Sequence, residues 1–258
     1  MRANTAKARL RQGKPIVGPI LPFASEAMIE LCALAGFHFV FIDCEHGPMS
    51  VETVERLVRA CEVANIPSLA RVPDQNPQTI LRFLDTGLQG VLVPHIDTAE
   101  QAAAAVAAAK YAPEGHRGLA GVRAGGYGID LPLAEYVRRA NEEVMVWVLL
   151  ESRAAVENVE AIAAVPGIDV LQIGPTDLAM SMLGTPDARH PAVERALDRT
   201  LAVGRAAGKA VGRGAVSGVA HMRRELERGF SVITFGLRDL VVEPGRRLMA
   251  ELGLSGER

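Results

Sequence analysis

Short, almost wholly apolar runs alternate along the chain with longer amphipathic stretches. The runs, bounded by Gly, Pro or Asp, fall at residues 16–21, 38–42, 68–71, 90–94, 144–150, 170–173, 209–212 and 231–235. They are continuously apolar rather than alternating, the pattern of parallel strands covered on both faces. Residues 25–35, 51–64, 77–86, 99–109, 154–164, 191–207, 217–228 and 245–252 carry helical periodicity, so a helix is expected after each strand. Eight such units in 258 residues predict an α/β protein that closes as a (β/α)8 TIM barrel, with residues 1–258 as a single domain. One spacing departs from the rest. About fifty residues separate the fourth strand from the fifth, and the surplus is the Gly-rich segment 111–132, expected to be a lid, a binding loop or a subunit contact.

Composition narrows the partners. A 49% hydrophobic, 22% charged chain of net charge −2 has no electrostatic footprint for nucleic acid or an anionic membrane. Cys32, Cys44 and Cys61 are odd in number and lack zinc-site spacing, so free thiols in a reducing compartment are expected. The polar, basic start (residues 1–14) lacks an apolar signal core and no run is long enough to span a bilayer, which predicts a cytoplasmic protein.

In a barrel, the C-terminal ends of the strands form one rim, where active sites sit. That rim is expected to gather Asp43 and His46 after the second strand, Arg71 after the third, Glu151 after the fifth and Asp177 after the sixth. Two carboxylates without a nearby Cys or His pair suit a hard octahedral ion such as Mg²⁺ or Mn²⁺ better than structural zinc. Arg71 adds a fixed cation where an oxyanion would sit. Each residue also has a plainer reading. Asp177 would cap a helix, His46 would belong to the Gly47-Pro48 turn, Arg71 would form a rim ion pair, and Asp85 would be a capping or solvated residue before Gly87. Asp43 and Glu45 either orient His46 or hydrogen-bond the turn, and Cys44 reads as a small packed residue.

Several motifs occur in order: Ile42-Asp43-Cys44-Glu45-His46, Arg71-Val72-Pro73, Leu84-Asp85-Thr86-Gly87, Val91-Leu92-Val93-Pro94, Tyr111-x-Pro113-x-Gly115-x-Arg117-Gly118, Glu151, and Ile173-Gly174-Pro175-Thr176-Asp177-Leu178. Through them the chain resembles, over nearly its whole length, the class II pyruvate aldolases of the HpcH/HpaI group. The resemblance implies that Glu151 and Asp177 hold a divalent metal (Mg²⁺, Mn²⁺ or Co²⁺) that chelates a 2-oxo acid. It implies His46 as general base acting through a water, Asp85 as the group raising its basicity, and Arg71 as the partner of the enolate oxygen. Gly174, Pro175, Thr176 and Asp177 would form the substrate-carboxylate site at a strand-to-helix turn, although Pro175 offers no N–H. The implied reaction is reversible cleavage of a 4-hydroxy-2-oxo acid to pyruvate or hydroxypyruvate and an aldehyde. The implied assembly is a hexamer with loops of one subunit near the site of another, for which the segment 115–128, with Arg117 and Arg123, is the candidate.

Two positions depart from the group's pattern. Leu149 stands where a substrate-contacting glutamine is usual, and Arg213 with Gly214 and Ala215 stands where an apolar residue helps select the aldehyde. A cation there predicts recognition of an anionic or polyhydroxylated acceptor by Arg213. Two other functions remain open: a CoA-ester lyase of the citrate-lyase type, disfavoured by the lack of a basic patch for CoA phosphates, and a non-catalytic 2-oxo acid binder.

Overall fold

A computed structural model describes residues 1–254. The elements run α1 (Thr5–Arg11), β1 (Ile16–Leu21), α2 (Glu26–Leu34), β2 (Val40–Asp43), α3 (Val51–Val63), β3 (Ser68–Arg71), α4 (Pro77–Asp85), β4 (Gly90–Val93) and α5 (Ala99–Ala109). A short 3₁₀ helix (Arg123–Gly128) and α6 (Leu133–Glu143) precede β5 (Met145–Leu150), α7 (Arg153–Glu157), α8 (Val159–Ala163) and β6 (Val170–Ile173). The chain continues as α9 (Pro175–Leu183), α10 (Pro191–Ala206), β7 (Ala210–Arg213), α11 (Gly218–Arg228), β8 (Val232–Gly236) and α12 (Arg238–Glu251). Each strand pairs in parallel with the next, and β8 pairs with β1 from Ile16↔Val232 to Ile20↔Gly236, which closes the expected barrel.

Side-chain parity along each strand sorts the core into two layers. Phe41, Leu69, Leu92, Trp147, Leu149 and Val170 fill the lumen, while Val40, Ile42, Ala70, Val91, Val146 and Leu171 pack outward against the helices. Phe39 meets the Trp147 ring edge-on at 5.6 Å, and Phe41 stacks on it at 6.1 Å, so aromatic rings plug the middle of the barrel. The lower end is closed by α1, whose Ala6 is fully buried among the lumen residues. Lys7 reaches the Val144 carbonyl at 3.0 Å and Asp169 at 3.1 Å. Only the upper end is left open for chemistry.

The structure adds to the helices expected from sequence. α1, α6 and α9 are extra, the helix after β5 is broken into α7 and α8 at Asn158, and α12 runs through Pro244 rather than starting at Gly245. The segment 111–132 does not reach the upper rim. Arg117 donates to Asp85 at 2.6 Å and stacks on Tyr111, while Arg123 bonds Glu62 and the Thr86 carbonyl (2.8 Å). Glu62, Asp85 and Thr86 all lie at helix ends, opposite the rim where the strands finish. Within this chain neither arginine is available to a substrate.

Candidate active site

At the upper rim lies a cavity of about 130 Å³, lined by Arg71, Leu149, Glu151, Gln172, Thr234 and the first turn of α9. Glu151 directly follows β5 and is 6% exposed. Its Oε1 accepts the His95 backbone N–H at 3.1 Å and lies 2.8 Å from His95 Nδ1. Its Oε2 points toward Gly174, where a Cβ would stand 3.2 Å away, a tight approach that glycine relieves. Burial pushes the Glu151 carboxyl above its ordinary range, and the charges of Glu45 and Asp177 push the same way against the pull of His95.

Asp177 lies in the first turn of α9 and lines the same cavity. The helix begins at Pro175 with Gly174 as its cap and no side-chain cap bond, so capping does not account for Asp177. The free N–H groups of this first turn face the cavity from a helix N-terminus, a favourable seat for a carboxylate.

Arg71 ends β3 in register with Asp43 of β2. Its Nε and Nη2 donate to the two Asp43 oxygens at 3.0 and 2.6 Å, and its Nη1 lies 3.1 Å from Glu45. Burial works against the Asp43 charge, but the Arg71 fork and the backbone N–H groups of His46 and Glu45 hold its carboxyl below the usual range. Arg71 is therefore both a fixed ion pair and a wall of the cavity.

The two histidines of the rim differ. His46 has a side chain 67% exposed, with Nε2 4.0 Å from Glu45. His95 follows β4 in the left-handed region (φ 56), a conformation uncommon outside glycine, and Gln75 holds its carbonyl at 2.7 Å. Its Nε2 lies 3.1 Å from Glu45, so His95 bridges Glu45 and Glu151. Sequence reading missed it, although it follows Val93-Pro94 in the same position past a strand that drew attention to the other rim residues.

Two expectations are corrected. Asp85 does not reach His46 within this chain: as the last residue of α4, which runs back down the barrel, it emerges at the opposite rim and binds Arg117. Arg213 does not face the acceptor side. Gly212 has the inward parity on β7, so Arg213 turns out between barrel and helices, where it meets Glu225 at 2.8 Å and Glu194 at 3.1 Å with 3% side-chain exposure. Leu149 does line the cavity, and its register partner on β6, Gln172, supplies an amide one strand over.

A closed parallel barrel with an acidic, arginine-backed cavity at its C-terminal rim defines a (β/α)8 enzyme. Residues 19–242 match the HpcH/HpaI aldolase/citrate lyase family, and the chain belongs to it. It is 41% identical over 212 residues to a 4-hydroxy-2-oxovalerate aldolase of Novosphingobium aromaticivorans, covering 79% of each chain. It is 38% identical over 240 residues to a hydroxypyruvate/pyruvate aldolase of Chromohalobacter salexigens, covering 91% of each. The crystal structure of a family member from Burkholderia cenocepacia superposes with a TM-score of 0.91 at 38% identity, over 97% of this chain and 100% of that one. The chain is accordingly a lyase of the aldolase type.

Proposed function

We propose that the enzyme catalyses reversible, divalent-metal-dependent cleavage of a 4-hydroxy-2-oxo acid to pyruvate or hydroxypyruvate and an aldehyde. The observation that carries this reading is the pair of carboxylates in one cavity, with Glu151 buried and its carboxyl pushed up in part by the charge of Asp177. A divalent cation between them would relieve that repulsion, and an all-oxygen pair with room for water and substrate oxygens fits Mg²⁺, Mn²⁺ or Co²⁺. When bound, the cation would act as a Lewis acid on the substrate's keto oxygen.

The chain's own residues do the rest. The first-turn N–H groups at Thr176 and Asp177 receive the substrate carboxylate. Arg71, braced by Asp43 and Glu45, faces the oxygen that gains charge as the C3–C4 bond breaks. His46 takes the 4-hydroxyl proton through a water; its one carboxylate contact among the described residues is at 4.0 Å, whereas both ring nitrogens of His95 are engaged by Glu45 and Glu151.

We read the assembly as a homo-hexamer in the cytoplasm. α12 buries none of its residues and exposes Leu240, Val241 and Leu248, an apolar face that a second copy would cover. Three buried free thiols suit a reducing compartment, and no described helix is long and apolar enough to cross a membrane.

The test is pyruvate and hydroxypyruvate release from a panel of 4-hydroxy-2-oxo acids before and after EDTA, with metal add-back. Cleavage that vanishes with EDTA and returns with Mg²⁺, Mn²⁺ or Co²⁺ is expected, and His46→Ala should lower it by roughly 10²–10⁴. Binding without turnover, or turnover of CoA esters alone, would replace this reading with a binder or a citrate-lyase-type enzyme.

A further inference from the structure

The floor of the cavity is not uniformly apolar. Phe41, Leu92 and Leu149 form one side, whereas Gln172 and Thr234, each 3% exposed, form the other. Gln172 Nε2 reaches Thr234 Oγ1 at 3.3 Å, and Gln172 Oε1 is buried without a protein donor. Gly212 on β7 makes room for the Gln172 amide, and Gly214, just past the strand, lines the cavity. A Cβ on Gly212 would collide with Gln172 Oε1, and one on Gly214 would stand 3.6 Å from both Gln172 Nε2 and Thr234 Oγ1. A buried acceptor left unmet costs stability, so a retained one next to a ligand cavity points to a donor supplied by the ligand.

The chemistry of that ligand group follows from what the corner offers. Oε1 accepts a hydrogen bond, and the Thr234 hydroxyl and the second Nε2–H donate, a set that matches a hydroxyl, which is itself donor and acceptor. A carboxylate is excluded because it has no proton for Oε1, and it already has its own seat at the first turn of α9. Gln172 lies on β6, two residues before the Gly174 cap of α9, so the corner is deeper than the carboxylate seat. A donor acid bound at Glu151 and α9 would point its C3 substituent down to it, leaving the solvent side for the aldehyde.

We propose that Gln172 and Thr234 form a hydroxyl-recognition niche that selects a C3-hydroxylated 2-oxo acid, with hydroxypyruvate as the probe, over pyruvate as the aldol donor. The inference rests on the aldolase reading. The experiment compares kcat/KM for hydroxypyruvate and pyruvate, with glyceraldehyde as the common acceptor, in the wild-type enzyme and in Gln172→Met and Thr234→Val. The wild type should prefer hydroxypyruvate, and each substitution should cut the hydroxypyruvate-to-pyruvate ratio by roughly five- to tenfold, the worth of one neutral hydrogen bond. Thermal melting checks folding, and Thr234→Val, which keeps the side-chain shape, decides the matter if Gln172→Met does not fold. An unchanged ratio, or parallel loss on both donors, in an active enzyme overturns the niche alone. A wild-type enzyme that turns over neither donor overturns the aldolase reading and the niche with it.

Discussion

His95 holds Glu151 by one oxygen: its backbone N–H donates to Oε1 at 3.1 Å and its Nδ1 lies 2.8 Å from the same atom. Oε2 is thereby left toward Gly174 and the cavity. If Glu151 is a metal ligand, His95 is the residue that orients it. His95→Ala should then weaken Mn²⁺ binding by about ten- to a hundredfold, the usual cost of removing a group that orients a ligand. Calorimetric titration with Mn²⁺ reads this directly, and an unchanged affinity would reduce His95 to a turn residue.

Glu151→Gln and Asp177→Asn each replace an anionic oxygen ligand with a weak neutral one. Each variant should keep its melting temperature or raise it, because a repelling pair of carboxylates is dissolved. Each should lose Mn²⁺ binding and nearly all cleavage activity. Wild-type turnover in either, after chelation, would remove the carboxylates from the metal role.

Arg71 is expected to matter for stability as well as for chemistry. Its fork holds Asp43 ionised below the usual carboxylate range, so the wild-type contribution is fully present above about pH 4 and is lost as pH falls through the lowered value. In Arg71→Met burial acts on Asp43 with only the backbone N–H groups of Glu45 and His46 to offset it. The variant should be less stable by about 3 kcal/mol at pH 7, with the deficit shrinking as pH falls toward about 4 and below, because Asp43 takes up its proton earlier in the variant than in the wild type. Urea unfolding at pH 7, 5 and 3.5 measures the trend; a deficit independent of pH would mean that packing, not charge, is lost.

Arg213→Leu should be a stability variant. Glu225 is fully buried, and removing Arg213 leaves it with Arg224, Arg228 and, at 3.6 Å, His221, at a cost of about 3 kcal/mol. KM for charged and neutral aldehydes should change equally, because the guanidinium points away from the cavity. A selective rise in KM for charged acceptors would return Arg213 to the substrate side.

The cysteines should be inert in the native enzyme. Burial, with the nearby Asp43 charge, pushes Cys44 up to about 12, and burial raises Cys32 and Cys61 as well. A thiol-reactive disulfide reagent at pH 8 should label no cysteine over minutes in buffer, and all of them in denaturant. Rapid labelling of Cys44 in the folded state would contradict its packed position.

Local patterning was enough for the frame of this protein. Eight apolar runs separated by helical stretches specify a closed barrel, because continuous apolarity is what a strand buried on both faces requires. The same patterning placed Arg71, Glu151 and Asp177 around one cavity, since the first charged residue at or past the end of a buried run falls on the upper rim. It could not reveal α12 running through Pro244, because proline reads as an end, nor the division of α7 from α8, because a break at one residue leaves the helical periodicity intact. What only the tertiary structure decided is direction. Whether a residue at a strand end enters the lumen or the helical layer depends on its parity, and a shift of one residue separates Gly212, which makes room for Gln172 in the lumen, from Arg213, which is lost to Glu225. Who stands beside whom depends on register between strands distant in sequence. Leu149 and Gln172 become neighbours, and Gln172 and Thr234 face one corner, only when the barrel closes. His95 likewise becomes a partner of Glu151 through a backbone turn whose left-handed conformation no local propensity predicts.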